Sequence, residues 1–146
     1  MKLLDYIVCD DVRNELGGKF SLMGVFGDSI NVQVPHGVTG AIAIPITVYL
    51  RVLLEERDSV PDGFKVVIKI NGKEFAGVEG TIEVSANKPN ILGFVIPIRK
   101  FQVFENSTIS LTATFTSGGQ PIAELSPSYD ISIKILHADK SIAPAG

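Results

Sequence analysis

Carboxylates gather at two places in this chain, and they are the side chains best suited to hold a hard cation or to pass a proton. Asp10, Asp11 and Glu15 surround Arg13 in "CDDVRNELGGKFSLMGVFG", and Glu55, Glu56, Asp58 and Asp62 crowd "EERDSVPDG". Oxygen ligands of this kind suit Ca²⁺. A calcium loop, however, alternates its ligands and carries a glycine turn among them. Neither stretch does so, and Arg13 and Arg57 interrupt the acids. The pattern favours an ion-paired strand end for the first cluster and a solvated loop for the second, with no metal and no cofactor.

Nucleophilic chemistry has less to work with. Cys9 is the single cysteine, so neither an internal disulfide nor a thiolate cluster can form within one chain. It falls in an apolar run and reads as a buried, inert thiol near Ile7 and Phe26. His36, in "VPHGV", reads as a turn residue, and His137 closes the last apolar run. The chain has no phosphate loop, nucleophile elbow or metal-ligand histidine spacing, and no residue is assigned a catalytic role. The aromatics offer more. "RKFQVFENS" sets Phe101 and Phe104 beside Arg99 and Lys100, a combination able to stack on a sugar or a base. The alternative is that both rings fold back to plug the open end of the fold. Tyr49 and Arg51 are expected on an outward strand face, as further contact residues for a ligand or a partner.

The elements that must position these groups read as strands almost throughout. In "IAIPITVYLRVLLE", Ile42, Ile44, Ile46, Val48, Leu50, Val52 and Leu54 fall on one side, and Thr47, Tyr49 and Arg51 on the other. Strict alternation marks a half-buried strand. "TISLTATFT" repeats it with Ile109, Leu111, Ala113 and Phe115 inward. "YDISIKIL" does so with Tyr129, Ile131, Ile133 and Ile135, and "VEGTIEVS" with Val78, Ile82 and Val84. Asn71-Gly72 predicts a type I′ hairpin pairing Ile70 with Lys73, Lys69 with Glu74 and Ile68 with Phe75. Gly118-Gly119 predicts a second tight turn, after which Pro121 directs the next strand to a sheet edge. Gly17-Gly18 predicts a first hairpin with Leu16 opposite Lys19, Arg13 opposite Leu22 and Cys9 opposite Phe26. "LLEERDSV" is the nearest approach to a helix, but it continues a strand and ends at Pro61, so it reads as a loop.

Regular turn signals and inward aliphatic faces predict an all-β fold: an antiparallel β-sandwich, immunoglobulin-like or a related Greek key, of about 8–10 strands. Residues 1–138 read as one domain and 139–146 as a frayed tail. Of the 146 residues, 45% are hydrophobic and 20% charged, which is a globular composition. The net charge of −3, with Lys and Arg scattered, argues against nucleic-acid binding. Asp5 breaks the opening apolar run, and "AIAIPITVYL" is too short to span a bilayer as a helix. These features predict a cytoplasmic protein with no membrane partner.

Residues 7–28 resemble a bacterial family of small β-sandwich proteins, a domain of unknown function that opens with a CDD-(V/I)-R-x-E-x-x-GK-x-(S/T)-L-x-G pattern. The matching residues are Cys9, Asp10, Asp11, Val12, Arg13, Glu15, Gly18, Lys19, Ser21, Leu22 and Gly24. The resemblance implies a bacterial, cytoplasmic β-sandwich and brings no catalytic residue with it. The leading expectation is a non-enzymatic module acting through a protein partner or self-association. A carbohydrate- or peptide-binding module using an outer sheet face or the 99–106 loop is the alternative, and an enzyme of unrecognised type comes third.

Overall fold

A computed structural model describes residues 1–83, 87–99, 101–103 and 105–137. Within them run β1 (Lys2–Glu15), β2 (Lys19–Val25), β3 (Ser29–Val34), β4 (Ile42–Ala43), β5 (Ile46–Leu53), β6 (Gly63–Ile70), β7 (Lys73–Thr81), β8 (Ile91–Ile98), β9 (Gln102–Val103), β10 (Ser107–Ser117), β11 (Gln120–Leu125) and β12 (Ile131–His137). The described residues contain no helix, and "LLEERDSV" leaves the sheet after Leu53. Ten of the strands have six or more residues, in line with the expected number. Phe104 and Val84, together with Lys100 and the 139–146 tail, lie outside the described residues.

Two sheets face one another as a sandwich. One has the order β2-β1-β5-β8, and the other the order β3-β12-β10-β6-β7, with β11 pairing a second stretch of β10. The alternating runs supply the space between. Ile46, Val48, Leu50 and Val52 of β5 pack toward Ile109, Leu111, Ala113 and Phe115 of β10 and Ile131 and Ile133 of β12. Phe94 of β8 joins the layers, with its ring 4.8 Å from Phe64 and 5.9 Å from Phe115. Such tilted aromatic pairs add to the gain from burial.

Several expected details change. Ile42 and Ile44 do not continue β5. Pro45 ends the ladder, and β4 instead pairs with β9 as a small separate sheet, Ile42 facing Val103. The Asn71-Gly72 turn has the expected positive φ values of 50° and 80° and the expected Ile70–Lys73 and Lys69–Glu74 pairs. A bulge then puts Ala76, not Phe75, opposite Ile68. Val78 lies on edge strand β7 and is exposed, since one side of that strand has no described neighbour. Tyr129 precedes β12 and is half exposed. The Gly118-Gly119 turn joins Ser117 to Gln120 as predicted, and β11 is an edge strand. The sandwich is not wholly antiparallel, because β12 runs parallel to β3 over Ser29–Val34.

Candidate functional site

The first hairpin is where the opening acids stand, and its register differs by one residue from the two-residue-turn prediction. Glu15 faces Lys19, Arg13 faces Ser21 and Cys9 faces Val25, so the loop is Leu16-Gly17-Gly18, with Leu16 95% exposed at its tip. Both loop glycines have positive φ, and a three-residue hairpin loop uses that conformation to reverse the chain. Beyond Cys9, the last β1 residue paired with β5, the hairpin leaves the plane of the sheet. Tyr49 stands beside Ile7, and Phe20 stands beside Asn14, further along β1. At about 3.3 Å per residue, a straight strand would carry Asn14 about 23 Å past Ile7. The Phe20 and Tyr49 rings are nevertheless 6.0 Å apart. The hairpin therefore turns back as an arm over the outer face of its own sheet.

The crease lies at Asp10 and Gly24. Gly24 has a φ of 63°, and a Cβ on it would sit 2.0 Å from Asp10 Oδ2. Only glycine satisfies both the left-handed backbone and the carboxylate lying over it. The acids of this stretch serve separate purposes. Asp10 lies over the crease, while Asp11 faces Arg13 at 3.8 Å, with both side chains well exposed, and Glu15 pairs across the ladder with Lys19. An exposed pair of this kind contributes little. The covering arm also corrects the expectation for β5, because Thr47 and Tyr49 point away from the core yet are buried, Tyr49 to 8% exposure. Tyr49 is thus not a free contact residue. Arg51, the next outward residue, donates from Nε to Asp5, and this bond raises its pKa.

The acidic loop after β5 is held from within. Asp58 accepts the α-amino group of Met1 at 2.7 Å and the Glu55 N–H at 2.7 Å. These two bonds, the amine first, hold the Asp58 carboxyl below its ordinary range. The Lys88 ammonium donates to the backbone carbonyls of Glu55, Glu56 and Asp58, so a lysine places its positive charge within the acidic loop. Asp62 accepts the Gly118 N–H at 2.9 Å and ties this loop to the β10–β11 turn. Among the described residues no three His, Cys, Asp or Glu side chains converge as a metal site. A carboxyl with a depressed pKa stabilises the fold above the ordinary aspartate value, and that contribution is lost as pH falls through the lower folded value. Asp58→Asn should therefore lower the urea midpoint at pH 7, and the gap to wild type should close in acid. A gap independent of pH would assign the loss to packing.

Phe101 is 0% exposed. Its ring meets Phe75 edge-on at 5.3 Å, and its carbonyl accepts the Ile44 N–H at 2.8 Å. It belongs to the core, which corrects its reading as a stacking platform. Arg99 is exposed at the end of β8. Cys9 is fully buried with its Sγ 3.4 Å from the Asp11 carbonyl, and burial pushes its thiol pKa up. His36 lies in a turn and His137 ends β12. The sequence reading overlooked Tyr6. It is buried against a cleft of about 470 Å³ between the start of β1 and the loop after β11, while Tyr129 donates to its carbonyl at 2.6 Å. Burial, with Tyr129 and Asp130 nearby, pushes the Tyr6 phenol up, and its hydroxyl has no hydrogen-bond partner among the described residues.

This sheet leaves large apolar side chains exposed. Phe20, Met23 and Val25 are exposed on the arm, and Ile91 and Val95 on the outer face of β8, 46% and 40% exposed. A narrower cleft of about 400 Å³ opens between Phe75, Ala76 and Val78 of β7 and Ile96, Pro97, Ile98 and Arg99. The signal for β8 lay in "ILGFVIPI", which carries no polar residue to face solvent. Among the described residues there is no helix long and apolar enough to cross a membrane. Comparison with protein-family models, curated proteins and solved structures finds no match to this chain.

Proposed function

We propose that this chain is a non-enzymatic β-sandwich module that acts through protein–protein contacts, in an assembly with itself or with a protein partner. The observation that carries the reading is the set of large apolar side chains left exposed on one sheet, from Leu16 and Val25 on the arm to Ile91 and Val95 on β8. Exposed apolar surface of this kind marks interaction sites more often than it marks reaction centres. The titratable groups support the same view. Those with displaced pKa values owe them to burial, as Tyr6 and Cys9 do, or to a paired neighbour, as Arg51 and Asp58 do. The carbohydrate- or peptide-binding alternative lacks its aromatic platform at Phe101. A bacterial, cytoplasmic setting belongs to this proposal, on the resemblance of residues 7–28.

Solution mass by light scattering behind a sizing column, across a concentration series, tests it. The expected result is a species heavier than the monomer whose population grows with concentration. A monomer at every concentration would reject self-assembly.

A further inference from the structure

Strand β8 is the outermost strand of its sheet, and no described strand pairs with its other side. Edge strands of this length are usually guarded by a charge, a proline, a bulge or a cover, and among the described residues β8 has the proline alone, Pro97 near its end. β8 has an unbroken register with β5 from Ile91 to Ile98, and residues 89–98 carry no charge. The neighbouring edge strand β7, by contrast, carries Lys73, Glu74 and Glu79. In a chain of net charge −3, such an uncharged strip is where two copies can approach with least repulsion.

One hydrogen bond fixes which backbone groups face the open side. Leu54 N–H donates to the Asn90 carbonyl at 2.8 Å, one step beyond the Leu53–Ile91 pair. Antiparallel pairs alternate between bonded and non-bonded. Leu92, Phe94, Ile96 and Ile98 therefore bond to β5, and Ile91, Gly93 and Val95 turn their N–H and C=O outward. Pro97 falls on the outward set, where its missing N–H takes nothing from the β5 ladder.

The outward set is symmetric about Gly93. In "PNILGFVIP", residues 89–97, the prolines stand at the two ends, Ile91 and Val95 are equidistant from Gly93, and Leu92 and Phe94 flank it. Laid antiparallel on a second copy with Gly93 facing Gly93, Ile91 meets Val95 and Pro89 meets Pro97, where neither has an N–H to leave unpaired. Each of the pairs at 91, 93 and 95 can exchange two N–H···O=C bonds. Gly93 has no explanation within one chain, since its φ is not left-handed and an added Cβ would meet nothing within 4 Å. Glycine in a strand interior is otherwise a cost, and at the position that faces its own copy it sets no side chain against its mate.

We propose that β8 is the edge at which this protein pairs with a second copy of itself, antiparallel and with the two-fold axis through Gly93, joining the two β2-β1-β5-β8 sheets into one. The inference rests on the assembly reading and names its surface and register. Variants with one added cysteine test it, Cys9 being buried and out of reach. With a short bifunctional thiol reagent Gly93→Cys alone should give a cross-linked dimer, because the facing Cβ atoms of a hydrogen-bonded pair lie about 5.5 Å apart, wider than a disulfide allows but within the span of such a reagent. Ile91→Cys and Val95→Cys should each fail alone, their like positions being about 13 Å apart across the axis, and should cross-link when mixed. Val95→Lys, on an exposed face, should move the self-association midpoint at least tenfold to higher concentration. A dimer that ignores Val95→Lys and does not cross-link through Gly93→Cys overturns the inference and leaves the assembly reading standing. Cross-linking by Ile91→Cys alone overturns the register, and a monomer at all concentrations overturns this inference together with self-assembly, leaving a different protein partner as the surviving form of the assembly reading.

Discussion

Replacing Phe101 by alanine should lower the unfolding free energy by about 3–5 kcal/mol, measured by urea denaturation. The ring is completely buried and meets Phe75 edge-on, and the residue continues the β4–β9 pair through the bond from the Ile44 N–H to its carbonyl. Truncation removes the transfer free energy of the ring and leaves a cavity that surrounding strands cannot fully close. Phe101→Leu keeps most of the volume and should cost much less. A ring that bound a ligand at the surface would behave differently, with a loss below about 1 kcal/mol on truncation. The experiment thus separates a plug in the sandwich from a binding platform.

Gly24→Ala should cost about 2–3 kcal/mol. The left-handed backbone at 63° accounts for about 1–2 kcal/mol in any residue with a Cβ. The remainder comes from displacing the Asp10 carboxylate, whose Oδ2 lies where the new methyl would be. The two parts can be divided. In a double-mutant cycle, Asp10→Gly should recover the overlap and leave the backbone strain in place. A cost below about 1 kcal/mol with no coupling to Asp10 would mean that the crease does not hold the arm.

Local chemistry was legible in the residues, and long-range order was not. Alternation identified the inward faces of β5 and β10, because burial of one strand face has a period of two. The Asn71-Gly72 and Gly118-Gly119 turns were legible because their backbone angles demand those residues. At the first hairpin the Gly-Gly pair announced a turn but not its length, since two adjacent glycines fit a loop of either two or three residues. The burial of Tyr49 could not be seen, because the arm that covers it is bent by Gly24, and nothing near Tyr49 in the sequence reports that bend. The sequence around Phe101 allows both a stacking platform beside basic residues and a plug folded into the open end, and the structure takes the second. The lysine that satisfies the acidic loop, Lys88, lies some thirty positions beyond Glu55, Glu56 and Asp58. The parallel placement of β3 was equally hidden, since a parallel pair needs no turn signal between its strands.

That parallel pair also dictates an order of events. β12 stands between β3 and β10, and it joins Ser29 to Ser132, 103 positions later (132 − 29). While the chain is being synthesised, β3 has no described neighbour in its sheet until residues 131–137 are made. The Tyr129 hydroxyl, which reaches back to the Tyr6 carbonyl, closes a contact of still greater separation. Contacts of such separation slow folding. Until they form, β3 waits unpaired and the inward faces of Ile131 and Ile133 are missing from the core, the interval in which this protein most needs protection from aggregation.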